Sequence, residues 1–259
     1  MLSTMPFAFG CVNSSMSSMC RGVLWICAGC RGNNGGTRNI LGAEKKSEEY
    51  AGASIDEWIA PALTAANPSA VPWTASEFTR YLKTGSGIYH GIAAGPMGPV
   101  VHAGINALPS DDLDAIGLYL GELVGAPDTN PADNPIVQAS LEAGRPDPAY
   151  RKDVGERLYV TACAACHYNS KEVIEGRPDL AINSATRLAK PDNLIHVILD
   201  GVSSNEGIKG VVMPGFRTAL SDEEIAAIAA YLRNNRAELP PWAGLTDKVT
   251  ELRALRAEN

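Results

Sequence analysis

Cys163-Ala-Ala-Cys166-His167 sets two thiols and an imidazole at a spacing with a specific chemical use. Cysteines three residues apart share one turn of helix, so both sulfurs can add to the two vinyl groups of a single porphyrin. The imidazole of the next residue then falls beneath the iron as its proximal ligand. Beyond residue 36 the chain has two cysteines, Cys163 and Cys166, and two methionines, Met97 and Met213. Met213 stands in Val211-Val212-Met213-Pro214-Gly215-Phe216, where a thioether can close the sixth position. A His/Met pair leaves no open site on iron, so the expected chemistry is electron shuttling, with the ferrous state favoured and the potential raised. Pro178 follows closely enough for its carbonyl to accept a hydrogen bond from His167 Nδ1–H, which would fix the ring's orientation and basicity.

Other readings of the same residues make different demands. A zinc site wants a fourth ligand from a second knuckle, and no other Cys pair or His-x-x-x-His follows the motif. A thiol-redox pair wants a preceding strand and a βαβ pattern, neither of which the sequence signals. A dihaem peroxidase would need one iron with an exchangeable sixth ligand.

Length and composition bound the remaining possibilities. The 259 residues suit one large domain or two of ordinary size, and 45% hydrophobic with 20% charged residues describes a globular chain. The net charge of −7 argues against nucleic acid, which wants a basic face. No apolar run reaches the roughly 18 residues of a membrane span. Residues 1–36 differ from the rest: they hold no acidic residue, four of the six cysteines and four of the six methionines. Within them, residues 1–20 have no basic n-region, and Ser, Met and Asn break up any apolar h-region, so no good export signal is evident.

Helices must position these groups, and caps and periodicity locate them. Ser54/Glu57, Thr74/Glu77 and Ser221/Glu224 match the capping box. Apolar stripes run through Phe78, Tyr81 and Leu82; Leu113, Ile116, Tyr119 and Leu120; Leu194, Val197 and Ile198; and Ile225, Ile228, Tyr231 and Leu232. Pro191 suits a first helical turn. Gly155, Leu158 and Tyr159 lead into Cys163 at helical spacing, so the motif should end a helix that meets the Tyr231/Leu232 helix. Leu245, Val249, Leu252 and Leu255 share a face in the tail and are expected to pack on the chain itself or a neighbour, with peripheral membrane association as the other use. No alternating β-branched run is evident, so the fold class expected is all-α.

The stripes repeat. Phe78, Tyr81, Leu82 and Gly85 match Leu194, Val197, Ile198 and Gly201; Pro61 and Leu63 match Pro178 and Leu180; and Met97 matches Met213. Two tandem cytochrome c-like domains account for this. The expected boundaries are an atypical segment 1–36, a first domain 37–126, a Pro-rich linker 127–148, a second domain 149–239 and a tail helix 240–259. Within the linker, 135–144 has the makings of a short helix. In the first domain Met97, in Gly95-Pro96-Met97, occupies the axial position, and Cys27-Ala-Gly-Cys30-Arg31 stands where the attachment motif belongs. Arg31 replaces the proximal histidine, and a guanidinium has no lone pair for iron. His90 and His102 are alternatives in principle, but each is read as a surface or packing histidine, as is His196.

From Thr37 to about residue 256 the chain resembles the multihaem cytochrome c subunits of membrane-bound bacterial dehydrogenases, of the alcohol, gluconate, sorbitol and molybdenum-hydroxylase types. The likeness is carried by Thr37-Arg38-Asn39-Ile40-Leu41-Gly42-Ala43-Glu44-Lys45, by Tyr89-His90-Gly91 with Gly95-Pro96-Met97, and by Cys163 to His167 with Met213-Pro214-Gly215-Phe216. Such subunits usually carry three haems in three domains, of which this chain resembles the second and third. In the family the Thr-Arg-Asn-like segment directly follows a Cys-x-x-Cys-His motif, whereas here no histidine intervenes between Cys30 and Arg38. Residues 1–36 are therefore read as the product of a displaced frame or misplaced start. The resemblance implies an electron-transfer subunit, not an enzyme in its own right. It would carry haem c at Cys163/Cys166 and take electrons from a dehydrogenase catalytic subunit. It would pass them to quinone, a terminal oxidase or another cytochrome, in the periplasm or on the periplasmic face of the inner membrane.

Overall fold

Residues 50–127, 129–144, 153–168, 172–204 and 206–255 are described by a computed structural model. Cys27, Cys30, Arg31 and the whole of segment 1–36 lie outside the described residues. The first elements depart from the sequence reading. Strands β1 (Ala53–Ile55) and β2 (Trp58–Ala60) form an antiparallel hairpin in which Ile55 pairs with Trp58. Ser54 and Glu57 therefore belong to a hairpin and cap no helix. Its tip residues, Asp56 and Glu57, have φ of 47° and 63°, the left-handed conformation a two-residue turn needs to follow the twist of its strands. Asn-Gly or Asp-Gly would have announced this turn, but Asp-Glu does not. A second ribbon pairs β3 (Ser86–Gly87) with β4 (Gly91–Ile92). These strands, two or three residues long, are additions to the expected all-α fold, and each is too short to show an alternation.

Among the described residues the longer regular elements are all helices. Helix α1 (Ala75–Thr84) starts where Thr74 Oγ1 accepts from the Glu77 N–H at 3.2 Å, and ends at Gly85 with φ 80°. Glu77 does not complete a capping box; it turns inward and accepts from the backbone of Tyr89 and Ile88. Helix α2 (Met97–His102) is short, and α3 (Ser110–Val124) packs on α1. At Gly117 a Cβ would lie 2.2 Å from the Thr79 hydroxyl and 2.7 Å from the Ala75 carbonyl, so the backbones approach as only glycine allows. Trp73, Phe78, Leu82, Ile105, Leu113 and Leu120 form the core between them.

The proline-rich stretch is more than a tether. Asn134 caps helix α4 (Pro135–Ala143), and Val137 and Leu141 are buried with Val71 and Ile182, one residue from either flank of the chain. The C-terminal half comprises α5 (Val154–Ala162), α6 (Ala164–His167), α7 (Ser184–Arg187), α8 (Asp192–Asp200), α9 (Asp222–Tyr231) and α10 (Leu245–Leu255). Ser221 and Glu224 form a complete capping box at the start of α9. Pro191 stands at the cap of α8, one place before its first turn. Ile195, Leu199, Ile225, Ile228 and Leu232 fill the core, and α10 lays Val249 and Leu252 onto it, so the tail packs on its own half. Among the described residues no helix is long and apolar enough to cross a membrane.

The two halves interlock. Asn193 on α8 pairs with the backbone of Ile59, accepting from its N–H at 2.7 Å and donating to its carbonyl at 2.8 Å. The Ser184 N–H donates to the His90 carbonyl at 2.7 Å, and Trp58 stacks on His196 with ring centroids 4.8 Å apart.

Candidate haem site

Helix α5 ends at Cys163, and the motif continues on the separate short helix α6. The Cys163 carbonyl accepts from the Cys166 N–H at 3.1 Å and the His167 N–H at 3.0 Å, which winds the three motif residues onto one turn. Both thiols are free; Cys163 is half-buried against the core and Cys166 is exposed. Burial, reinforced by Cys166 nearby, pushes the Cys163 thiol up to about 11, so it stays protonated near neutral pH. A zinc site needs thiolates. Among the described residues no group of three or more His, Cys, Asp or Glu side chains converges as a metal cluster would.

His167 is 9% exposed, and its Nδ1 lies 3.0 Å from the Pro178 carbonyl, the contact expected from the sequence. A carbonyl only accepts, so Nδ1 carries the proton and Nε2 keeps its lone pair. Burial draws the ring below its ordinary pKa, against the opposing pull of the Pro178 bond and the Asp179 carboxylate, and this favours the neutral, ligating form. The loop that presents Pro178 is tied down by Asp179, 3% exposed. Its carboxylate accepts from the Ala181 N–H at 2.9 Å and from the Arg236 guanidinium at 3.3 Å. Arg236 also donates to the Ser140 carbonyl on α4. Sequence reasoning missed this pair, whose residues lie 57 positions apart with no shared period.

Met213 is half-buried on a loop clamped to the end of α8. It exchanges two backbone hydrogen bonds with Val202, at 2.9 and 3.0 Å, and the Phe216 N–H donates to the Ile198 carbonyl. A Cβ on Gly201, whose φ is 73°, would lie 2.3 Å from the Met213 carbonyl, so this glycine lets the loop lie flat against the helix end. The loop carrying Pro178 meets the loop carrying Met213: a Cβ on Gly176 would touch the Val211 methyls at 3.2 and 3.4 Å. Ile174, Val211 and Val212 leave an exposed apolar rim beside them.

Met97 sits elsewhere. Although it shares the sequence register of Met213, Ser86 pairs with Ile92 here, whereas the matching Val202 pairs with Met213 itself. Met97 instead opens α2, with its side chain against the core around Trp73 and Leu82. Of the other histidines, His90 and His196 are each 2% exposed, and His102 bonds the Glu206 carbonyl.

The donor set around α6 fits a covalently held haem. It offers one neutral imidazole nitrogen, two free thiols on a single turn, and a thioether on an adjoining, backbone-fixed loop. The profile of the family described as "Cytochrome C oxidase, cbb3-type, subunit III" matches residues 151–232. The chain is similar to a nicotinate dehydrogenase subunit of Pseudomonas putida, 39% identical over 221 residues, covering 84% of this chain and 18% of that protein. It is also similar to the fructose dehydrogenase cytochrome subunit of Gluconobacter japonicus, 33% identical over 218 residues, covering 75% of this chain and 44% of that one. Cytochrome c6 of Gracilaria tenuistipitata var. liui is 32% identical over 82 residues, 32% of this chain and 70% of its own length. The chain thus spans less than half of the two dehydrogenase subunits it resembles.

Proposed function

From the premise that the chain belongs to the cytochrome c family, we propose that it is an electron-transfer subunit, relaying electrons from a partner dehydrogenase towards quinone or a terminal oxidase. In this reading the partner carries out substrate oxidation and this chain performs none. Haem c, when bound, supplies one-electron Fe(II)/Fe(III) chemistry. Cys163 and Cys166 would hold it by thioether bonds, His167 would bind iron through Nε2, and the Met213 thioether would supply the second protein ligand. The Pro178 carbonyl orients the imidazole, and the apolar helices keep the ligands in place so that little rearranges between oxidation states. The fold is proposed to be two tandem cytochrome c-like domains meeting near α4, with the second complete. Cys27, Cys30 and Met97 are the candidate residues of a second site, and Arg31 weighs against it. The working compartment is proposed to be the periplasm, where bacteria attach haem c, with the membrane face as its neighbour.

The observation that carries the reading is the 3.0 Å contact from His167 Nδ1 to the Pro178 carbonyl, which leaves Nε2 free to ligate beside two free thiols. The test is expression with an export signal and the haem-attachment machinery, followed by haem-stained denaturing gels and intact mass. One added haem is expected, lost in the Cys163→Ser/Cys166→Ser double variant, and His167→Ala should abolish the native optical bands. Colourless wild-type protein from competent cells, or native bands surviving His167→Ala, would sink it. Steady peroxide turnover would favour a peroxidase instead.

A further inference from the structure

The Met213 loop is held from the other half of the molecule as well as from its own. Val202, its backbone partner, is followed at once by a tight turn in which Glu206 and Gly207 both donate to the Ser203 carbonyl at 3.1 Å. The Glu206 carboxylate closes that turn by accepting from the Ser203 N–H at 3.2 Å and its hydroxyl at 3.0 Å. Residues of the N-terminal half press on it directly. His102 Nε2, at the end of α2, lies 2.8 Å from the Glu206 carbonyl, which only accepts, so the imidazole donates. The ring is wedged in place, since a Cβ on Gly85 would fall 2.5 Å from it. A Cβ on Gly98 would lie 3.6 Å from the Glu206 side chain, and one on Gly207 would lie 3.8 Å from Ile92 Cδ1.

We propose that His102 is a positioning residue for Met213, acting across the junction of the two halves. By fixing the Ser203–Gly207 turn it fixes Val202, and through the two Val202–Met213 hydrogen bonds it holds the thioether sulfur at its station. This rests on the reading of Met213 as the sixth ligand. The N-terminal half thereby sets how readily that ligand is displaced, a role independent of whether it carries a haem of its own. Partners one shell beyond a metal ligand typically alter affinity 10- to 100-fold, because the ligand's approach is set by what orients it.

The test compares the full-length ferric holoprotein with His102→Leu, His102→Asn and His102→Gln. Leu removes the donor, Asn shortens its reach, and Gln keeps an N–H near the same position. Two quantities are read: imidazole affinity, followed by loss of the thioether-to-iron charge-transfer band, and amide hydrogen exchange at Val202 and Met213. The expected result is imidazole binding about tenfold tighter in Leu and Asn, with faster exchange at both amides, and near wild-type behaviour in Gln. Wild-type affinity and exchange in whichever of Leu and Asn folds would overturn the proposal. Met213→Leu separates this from failure of the ligand assignment: a band that survives it overturns the assignment, whereas a band that needs Met213 but ignores His102 overturns only the positioning role.

Discussion

Gly155 on α5 meets Ala227 on α9 so closely that a Cβ on the glycine would lie 2.1 Å from the Ala227 carbonyl oxygen. Tyr159 and Tyr231 complete this crossing with ring centroids 5.4 Å apart. Helix α5 leads into the Cys163–His167 turn, so this contact sets where the motif stands relative to the core. Gly155→Val cannot be accommodated without parting the helices. It should cost on the order of 3 kcal/mol, read as a lowered urea midpoint with a smaller fraction of protein carrying attached haem. An unchanged midpoint would mean the crossing does not hold the motif in place.

Asp179 and Arg236 form a buried ion pair beside the carbonyl that orients His167, with side chains 3% and 5% exposed. Asp179→Asn keeps the shape of the side chain but strands the guanidinium. Removing one partner of such a pair costs about 3–5 kcal/mol, much of it the desolvation of the charge left behind. Thermal unfolding should show the loss, and Arg236→Met in the same background should restore part of it. A single variant as stable as wild type would count against the pair.

Acid should destabilise the protein through His90. The ring is 2% exposed and stacks on Trp73 with centroids 3.7 Å apart, and among the described residues neither nitrogen finds a hydrogen-bond partner. Burial depresses its pKa from 6.5 to about 3. Between those values the unfolded chain binds a proton that the folded chain refuses, so stability falls as pH drops through this window, by up to about 1.4 kcal/mol per pH unit. Glu77, 3.9 Å away, opposes this. Burial raises its pKa above 4.5, partly offset by Arg80 and the Tyr89 and Ile88 amides, so its contribution is present at low pH and is lost as pH rises. Below about pH 4.5 Glu77 therefore no longer opposes the His90 slope. His90→Phe is expected to flatten the plot of urea midpoint against pH there. Parallel plots for variant and wild type would refute the assignment.

Ser221→Ala should cost about 1 kcal/mol, because it leaves the Glu224 N–H without its 3.2 Å acceptor and dismantles the capping box of α9. Ser54→Ala, at a position that matches the same sequence pattern but lies on a hairpin, should change the urea midpoint far less. Equal losses at the two positions would show that the pattern, not the helix, is being measured.

These outcomes turn on two kinds of information. Signals confined to a few neighbouring residues were legible in the chain itself. The Cys163/Cys166/His167 spacing, the reach of Pro178, the Ser221 box, the stripes of α1, α3, α8 and α9, and the tail helix all follow from helical periodicity or from a hydrogen bond spanning a single turn or loop. The Asp56–Glu57 hairpin was not, because Glu57 is of a type that seldom adopts the left-handed conformation it takes here. The Met97/Met213 register was legible, but their differing settings were not: identical spacing from the preceding glycine permits either an inner ribbon or a longer bridge, and neighbouring packing selects between them.

The amino-acid order alone determined that two thiols and an imidazole share one turn, with a lone thioether downstream, along a mainly helical chain. The tertiary structure decided what holds them. Asn193 reaches Ile59 across 134 positions, His102 reaches Glu206 across 104, and Arg236 reaches Asp179 across 57. Contacts at such separations leave no periodic trace, since they arise only when helices with separately satisfied backbones pack and bring their polar edges together.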